Sequence, residues 1–469
     1  MTSNNTPTES LACSQFAPTR ADFAAPSISI RQAPKLAVSK RATKPPLKHD
    51  LQGQYSLRYR AKKHAAMPHV VKFSGGRSSG MLLFTLLENG LLDADRGDVI
   101  VFNNTSAEHP HTYRYVADCI SAARVYGVPF FQIEFQTYED ARKGEWTRLP
   151  TYRLVNSRSK SPDNPDGYHW RGEVYEELLS WSGFVPNQFD RICTQHLKLE
   201  VTRNFLRDWF SSSASIPRLG HFGEGSRIDL DTAHERHRRN RGGVPRQIFE
   251  RKRKYAWNRP HFRPEQRFDS FWPDWKPFNN LGLNNRAYGG KATFGKGGVE
   301  YVAMIGLRAD EPQRIQRVLD RSFGTNGFDG EHVYTPLGDM AVMRNDVNEF
   351  WDRQSWDLAL PKDASLSNCV FCFLKGAANL AYIRSHMEQP NESEAAGFGL
   401  LKDTPCDLAW WERIEQRYGR DLQAEGRKTR SKVNHIGFFG RDGVSYRAMS
   451  AGLDMDQFAE TMLPCDCTE

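Results

Sequence analysis

Apolar residues in this chain gather in short runs on either side of a long polar middle. Residues 69–73 (HVVKF), 98–102 (DVIVF), 129–135 (PFFQIEF) and 301–305 (YVAMI) are β-prone and of strand length. Runs this short, bounded by turn residues, read as buried strands rather than helices. Residues 81–90 (MLLFTLLENG) are apolar nearly all round and end in Asn-Gly, which predicts a buried helix with a stop signal. Over about 112–126, Val116, Cys119, Ile120 and Ala123 recur on one helical face, and Gly127 closes the run. Strand, helix, strand, helix, strand at this spacing predicts an α/β fold with a parallel, Rossmann-like sheet and right-handed crossovers.

The pattern then dissolves. Residues 136–187 are polar and aromatic without a clear period, and 188–210 holds an amphipathic stretch with Val201, Phe205, Leu206 and Trp209. Beyond the strand at 301–305, residues 345–356 predict a helix with Val347, Phe350 and Trp351 inward, and another begins near Ala377. No internal repeat is present. The organisation expected is a disordered tail over 1–65, an α/β core over 66–210 and 299–385, a large insertion over 211–298, and a C-terminal extension over 386–469.

Charge changes this picture. The chain has 469 residues and a formal net charge of +8. Residues 31–63 carry ten Lys/Arg and one acid, and residues 234–267 carry twelve Lys/Arg and three acids. Both segments are net +9, so the remainder is net −10. Such blocks are either solvated chain or surfaces for a polyanion. In the second block Phe249, Tyr255, Trp257 and Phe262 interleave with Arg251, Lys252, Arg253 and Lys254. That mixture suits nucleic acid, because aromatics stack on bases while cations meet phosphates. Eight cysteines in 469 residues are too sparse for a disulfide scaffold and point to a reducing, cytoplasmic setting. No apolar run is long enough to span a membrane, so no membrane partner is expected.

Three groups of residues carry chemistry. The first is the loop after 69–73, Ser74, Gly75, Gly76, Arg77, Ser78, Ser79. Glycines let the backbone approach an anion, and a helix N-terminus offers N–H groups and a favourable dipole. The Walker spacing is absent, and a tight strand–helix turn of small residues is the plainer alternative. The second is Cys369-x-x-Cys372, with Cys193 the one candidate partner inside an ordered motif. Thiolates at this spacing hold zinc or an iron–sulfur cluster, and buried structural thiols are the alternative. A fourth ligand would come from Cys406, His196, the tail or outside. The third group lies past strand ends: Asn103, Thr105 and Glu108 after the second strand, and Arg308, Asp310 and Arg314 after the fourth. In an open α/β sheet these ends converge on the ligand crevice.

Taken together, VVKFSGGRSSGMLLFTLL, VFNNTSAEHPHTYRYV, RICTQHLKLE, MIGLRADEPQR and NCVFCFLKG resemble the phosphoadenosine-phosphosulfate (PAPS) reductase-like family. That family belongs to the N-type ATP pyrophosphatase, or adenine nucleotide alpha hydrolase, group. The resemblance covers under half of the chain. It implies that Ser74 to Ser79 bind pyrophosphate, and that Asn103, Thr105 and Glu108 lie near the nucleotide. It implies that Arg308 and Asp310 lie near phosphates, and that Cys193, Cys369 and Cys372 hold a [4Fe-4S] cluster, with zinc the alternative. Arg77-Ser78 stands where many members have Lys-Asp, which removes the usual acidic position. Cys193-Thr194 stands where cluster-bearing reductases have two cysteines, leaving three thiolates. The terminal PCDCTE does not match the reductases' catalytic motif.

The resemblance implies an enzyme using ATP or adenylyl sulfate with Mg2+. The first expectation is adenylation of a substrate, with nucleic acid bound through 31–63 and 234–267, followed by sulfur transfer from a donor or reductant protein. Arg77, Lys198 and Arg308 are then the electrostatic groups at the reacting phosphate. A sulfonucleotide reductase releasing sulfite is the second expectation. A non-catalytic nucleotide-sensing or nucleic-acid-binding component of a mobile-element or defence system is the third.

Overall fold

The computed structural model describes residues 57–140, 147–211, 213–216, 218–219, 263–278, 292–295, 297–322, 329–387, 401–423, 434–440 and 445–451. Residues 1–56 of the expected disordered tail, most of both basic segments and Cys465 and Cys467 lie outside these residues. Residues 57–65 of that tail belong to the body instead: Leu57 and His64 are buried, and His64 Nδ1 lies 2.7 Å from the Tyr334 hydroxyl.

A seven-stranded sheet carries the fold, in the order β5-β4-β3-β2-β1-β6-β7. The strands are β1 (His69–Phe73), β2 (Val99–Asn104), β3 (Phe130–Asp140), β4 (Thr147–Ser159), β5 (Gly167–Tyr168), β6 (Tyr301–Ile305) and β7 (Glu331–Tyr334). β1 pairs in parallel with β2 on one side and β6 on the other, and β2–β3 and β6–β7 are also parallel. β1 and β6 are buried along their whole length, as strands covered by helices on both faces must be. The helices are α1 (Arg77–Glu88), α2 (Pro110–Val125), α3 (Glu173–Ser182), α4 (Glu200–Trp209), α5 (Pro312–Ser322), α6 (Arg344–Asp352), α7 (Ala377–Met387) and α8 (Leu408–Tyr418). The chain runs outward from β1 through β2 to β3, then returns to the other side of β1 as β6. The order reverses between β1 and β6, and the loops after those strands flank the crevice.

The sheet is thus mostly parallel, as expected, but β4 runs antiparallel to β3 over Gln132 to Asp140. β4 left no clear period in the sequence because its inward Tyr152 and Leu154 are interleaved with buried Arg148, Thr151 and Arg153. Arg148 pairs with buried Glu177, and Arg153 donates to the carbonyls of Pro165 and Gly167. Buried ions with partners satisfy the interior as well as apolar side chains do, and they erase the alternation. The described end of the second basic segment also belongs to the body. Arg263 is fully buried, its Nη1 3.2 Å from Thr151 Oγ1 and 3.4 Å from Asp208 Oδ2. Among the described residues no helix is long and apolar enough to cross a membrane.

Candidate functional site

The loop after β1 turns sharply because Gly75 adopts φ +75°, where a Cβ would also stand 2.8 Å from Thr112 Cγ2. α1 then begins at Arg77, capped by Gly76 with no side-chain hydrogen bond, so the helix opens earlier than its apolar run suggested. Its first turn edges the crevice with uncapped N–H groups, the arrangement that favours an anion. The Ser74 hydroxyl donates to Ser79 Oγ at 3.0 Å, and Ser79 Oγ donates to the Gly76 carbonyl at 2.8 Å. The loop is therefore internally braced.

Across the crevice, Gly306 follows the end of β6. A Cβ there would lie 2.8 Å from Ser79 Cα, so only glycine lets the end of β6 approach the first turn of α1. The next residues bring Arg308 to the loop: Nη1 donates to Ser78 Oγ at 2.9 Å, and Nε donates to Asp310 Oδ1 at 2.9 Å. Burial acts to raise the Asp310 carboxyl, but the Arg308 hydrogen bond and charge outweigh it and hold it below its ordinary range, with Arg344 contributing. Ser78 is thus tied to a cation.

These residues line a cleft of about 620 Å³ with Ser74, Gly76, Arg77, Ser78, Arg308, Asp310 and Arg314 on one side, and 360–368, Leu374 and Lys375 on another. Six cationic and three acidic side chains line it, in a body that is net negative outside the basic segments. Such a cleft concentrates anionic ligands.

Arg77 does not present its charge freely to this cleft. Its Nε donates to Asp357 Oδ1 at 2.8 Å, and its Nη groups donate to Asp357 and to the carbonyls of Leu360 and Pro361. Lys375 acts on the same segment from the other end, donating to the carbonyls of Ser365, Ser367 and Val370 at 2.6, 2.9 and 2.9 Å. Between these clamps Ala359, Ala364 and Asn368 hold φ of 57°, 64° and 58°, a conformation disfavoured for residues with a Cβ. The cleft wall is a strained segment pinned by two cations.

That wall leads directly to the cysteines. Cys193, Cys369 and Cys372 line one small cavity together with Thr105, Tyr175, Thr194, Leu197 and Lys198. All five described cysteines are buried and none is in a disulfide. Cys193 lies in the turn Ile192–Thr194, which runs through a π-helical segment, Gln195–Leu199, into α4. π-helical turns recur at functional sites, and this one places Lys198 at the cavity. The CxxC loop is held against the end of β2: Val370 N donates to the Ala107 carbonyl at 3.0 Å, and Thr105 Oγ1 lies 3.5 Å from Cys369 Sγ. Burial raises the Tyr175 and Tyr446 hydroxyls well above their usual range, and the charges of Cys193, Cys369 and Cys372 add to it at both. Tyr446 also donates to the Phe371 carbonyl, inside the CxxC turn.

The remaining expected residues sit as follows. Glu108 is buried beside the cysteines and accepts from Thr105 Oγ1 at 2.6 Å and from Tyr113 at 3.0 Å. Burial pushes its carboxyl up, against the Thr105 hydrogen bond and the charge of Lys198. Asn103 exchanges hydrogen bonds with Thr202 at 2.9 and 3.1 Å and does not line the cleft. Of this second motif, Thr105 reaches the cysteine cavity rather than the phosphate side. Cys406 and His196 line neither cavity, and His196 bonds Glu200 at 2.6 Å. Arg344, Asp357, Lys375, Tyr175 and Tyr446 were not singled out in the sequence. Lys375 lies three positions after Cys372, inside the quoted motif. The other four lie outside the quoted motifs and carry no local pattern.

Among the described residues no group of three His, Cys, Asp or Glu side chains is arranged to hold a metal ion. The three thiols share a cavity without closing on an ion. Their donor chemistry suits a thiophilic group, since soft ligands select zinc, copper(I) or iron–sulfur clusters. No family model, no curated protein and no solved structure matches this chain.

Proposed function

We propose that the chain is an adenine-nucleotide enzyme of the PAPS reductase-like, ATP pyrophosphatase type that activates a substrate by adenylation for sulfur transfer. One observation carries this reading. An electropositive cleft opening on a strand–Ser-Gly-Gly–helix loop shares a wall, residues 367–375, with a cavity lined by three cysteines. A plain phosphate-binding turn or a set of core thiols gives no reason for that adjacency.

In this reading ATP lies in the cleft with its phosphates on the α1 N-terminus. A substrate oxygen attacks the α-phosphorus, the bond to the β-phosphate oxygen breaks, and pyrophosphate leaves with Mg2+. Arg308, fixed on Ser78 and Asp310, stabilises charge on the phosphates, because such transfer depends mostly on positioning and electrostatics. Arg77 positions the wall rather than the phosphate. A hydrosulfide sulfur then attacks the activated carbon, the C–S bond forming as the C–O bond to AMP breaks, and its remaining proton passes to solvent. Cys193, Cys369 and Cys372 would hold a [4Fe-4S] cluster or zinc, which when bound supplies a soft electrophilic centre for sulfur. Lys198 places a cation at that cavity, and Thr105 orients Cys369. Nucleic acid remains the proposed acceptor, through the basic segments at 31–63 and 234–267.

The test is incubation of the anaerobic full chain with α-labelled ATP, Mg2+ and RNA or DNA fragments. The expected products are AMP species and pyrophosphate, falling about tenfold or more in an Arg308→Gln variant. Hydrolysis to ADP, or no turnover with any acceptor, contradicts the proposal. Sulfite release from adenylyl sulfate would identify the reductase reading instead.

A further inference from the structure

Six cations line the cleft: Arg77, Arg308, Arg314, Arg344, Lys362 and Lys375. Five are committed within the protein. Arg77 and Lys375 clamp the wall, Arg308 holds Ser78 and Asp310, and Arg314 pairs with Glu311. Lys362 pairs with Asp352 at 2.7 Å. Arg344 differs. It opens α6, is exposed, and among the described residues no hydrogen bond or ion pair is recorded for it. Its charge nevertheless acts on Asp310, whose partner Arg308 touches the loop at Ser78. Arg344 lines the same cleft as Ser78, Arg308 and Asp310, with its guanidinium uncommitted. A cation already bound to a carboxylate must exchange one partner for another to meet a ligand, whereas an uncommitted one adds its full charge-assisted bonds.

We propose that Arg344 is the residue that reads the polyphosphate of the bound nucleotide, closing on the β- or γ-phosphate from α6. The proposal rests on the nucleotide reading above and deepens it. The fork of its guanidinium suits phosphate oxygens bidentately. It also fills the cationic role that Arg77, tied to Asp357, does not play.

The experiment is calorimetric titration of the full chain with ATP, ADP and AMP, in the native protein, Arg344→Gln and Arg344→Lys. Thermal melts establish that the exposed substitutions leave folding intact. The native chain is expected to bind ATP more tightly than AMP. Arg344→Gln should lose about 10- to 100-fold in ATP affinity with AMP changed less than about twofold, and Arg344→Lys should recover part of the loss, because lysine keeps the charge without the fork. A native preference for ATP that survives in Arg344→Gln, or an equal loss for ATP and AMP, overturns the assignment while leaving the nucleotide reading intact. A native chain that binds ATP and AMP equally overturns the assignment alone, and one that binds neither overturns both.

Discussion

The guanidinium of Arg77 holds a carboxylate and two carbonyls of the segment that walls the cleft, and this fixes what its loss should do. Arg77→Met leaves Asp357 and those carbonyls without their partner, at about 1–3 kcal/mol. Chemical denaturation should show that loss, and Asp357→Asn should show a smaller one. The same wall holds Ala364 at φ 64°. Ala364→Gly should therefore stabilise the chain by up to about 1–2 kcal/mol, measured in the same way. At this scale the sequence was partly legible. The types and spacing of Ser74 to Ser78 and of Cys369 and Cys372 marked segments that line the cleft and the cysteine cavity, because short motifs are local in the chain. The role of Arg77 was not legible, since Asp357 lies 280 positions away in the chain. Nothing near Arg77 distinguishes a phosphate ligand from a clamp.

Among the elements, the strands at 69–73 and 301–305 appear as expected, because both are buried on two faces and so read as continuous apolar runs. β4, α3 and β7 were not legible. β4 and α3 bury paired ions: Arg148 with Glu177 across the two, and Glu176 with Arg417. α8, in the C-terminal extension, has a further such residue. Its Glu415 accepts from the backbone N–H groups of Phe438 and Tyr446, and so supports the segment whose Tyr446 holds the CxxC turn. Burial raises the Glu415 carboxyl from 4.5 to about 7, against those two hydrogen bonds. An acid whose pKa is raised on folding favours the folded state fully below its unfolded pKa. That contribution is lost as pH rises through the folded value. The native chain should therefore lose stability relative to Glu415→Gln between about pH 4.5 and pH 7. The shift should reach about 3 kcal/mol, read from denaturation midpoints of the two proteins across that range. A difference that does not change with pH would show that Glu415 ionises normally.

For the whole molecule, the reversal of strand order at β1 and β6 brings the Ser-Gly-Gly loop, Arg308 and the CxxC wall to one end of the sheet. An α/β sheet with parallel crossovers was readable from the spacing of strands and helices. The antiparallel edge at β4 was not, because nothing local in a strand's sequence states the direction of its neighbour. Charge was readable as a pattern but not as a surface. The cleft gathers six cations from segments between Arg77 and Lys375, all of them outside the basic segments that dominate the net charge.

The account stands on the three cysteines meeting beside that cleft as ligands rather than as core thiols. The most direct test is to purify the native chain anaerobically and measure iron, acid-labile sulfide and zinc per chain. Single Ala variants of Cys193, Cys369 and Cys372 are measured alongside. The account predicts metal in the native protein, as iron with sulfide or as zinc, and its loss in each of the three variants while a Cys119→Ser control retains it. A native chain without metal, or one that keeps its metal when Cys369 is replaced, would contradict it.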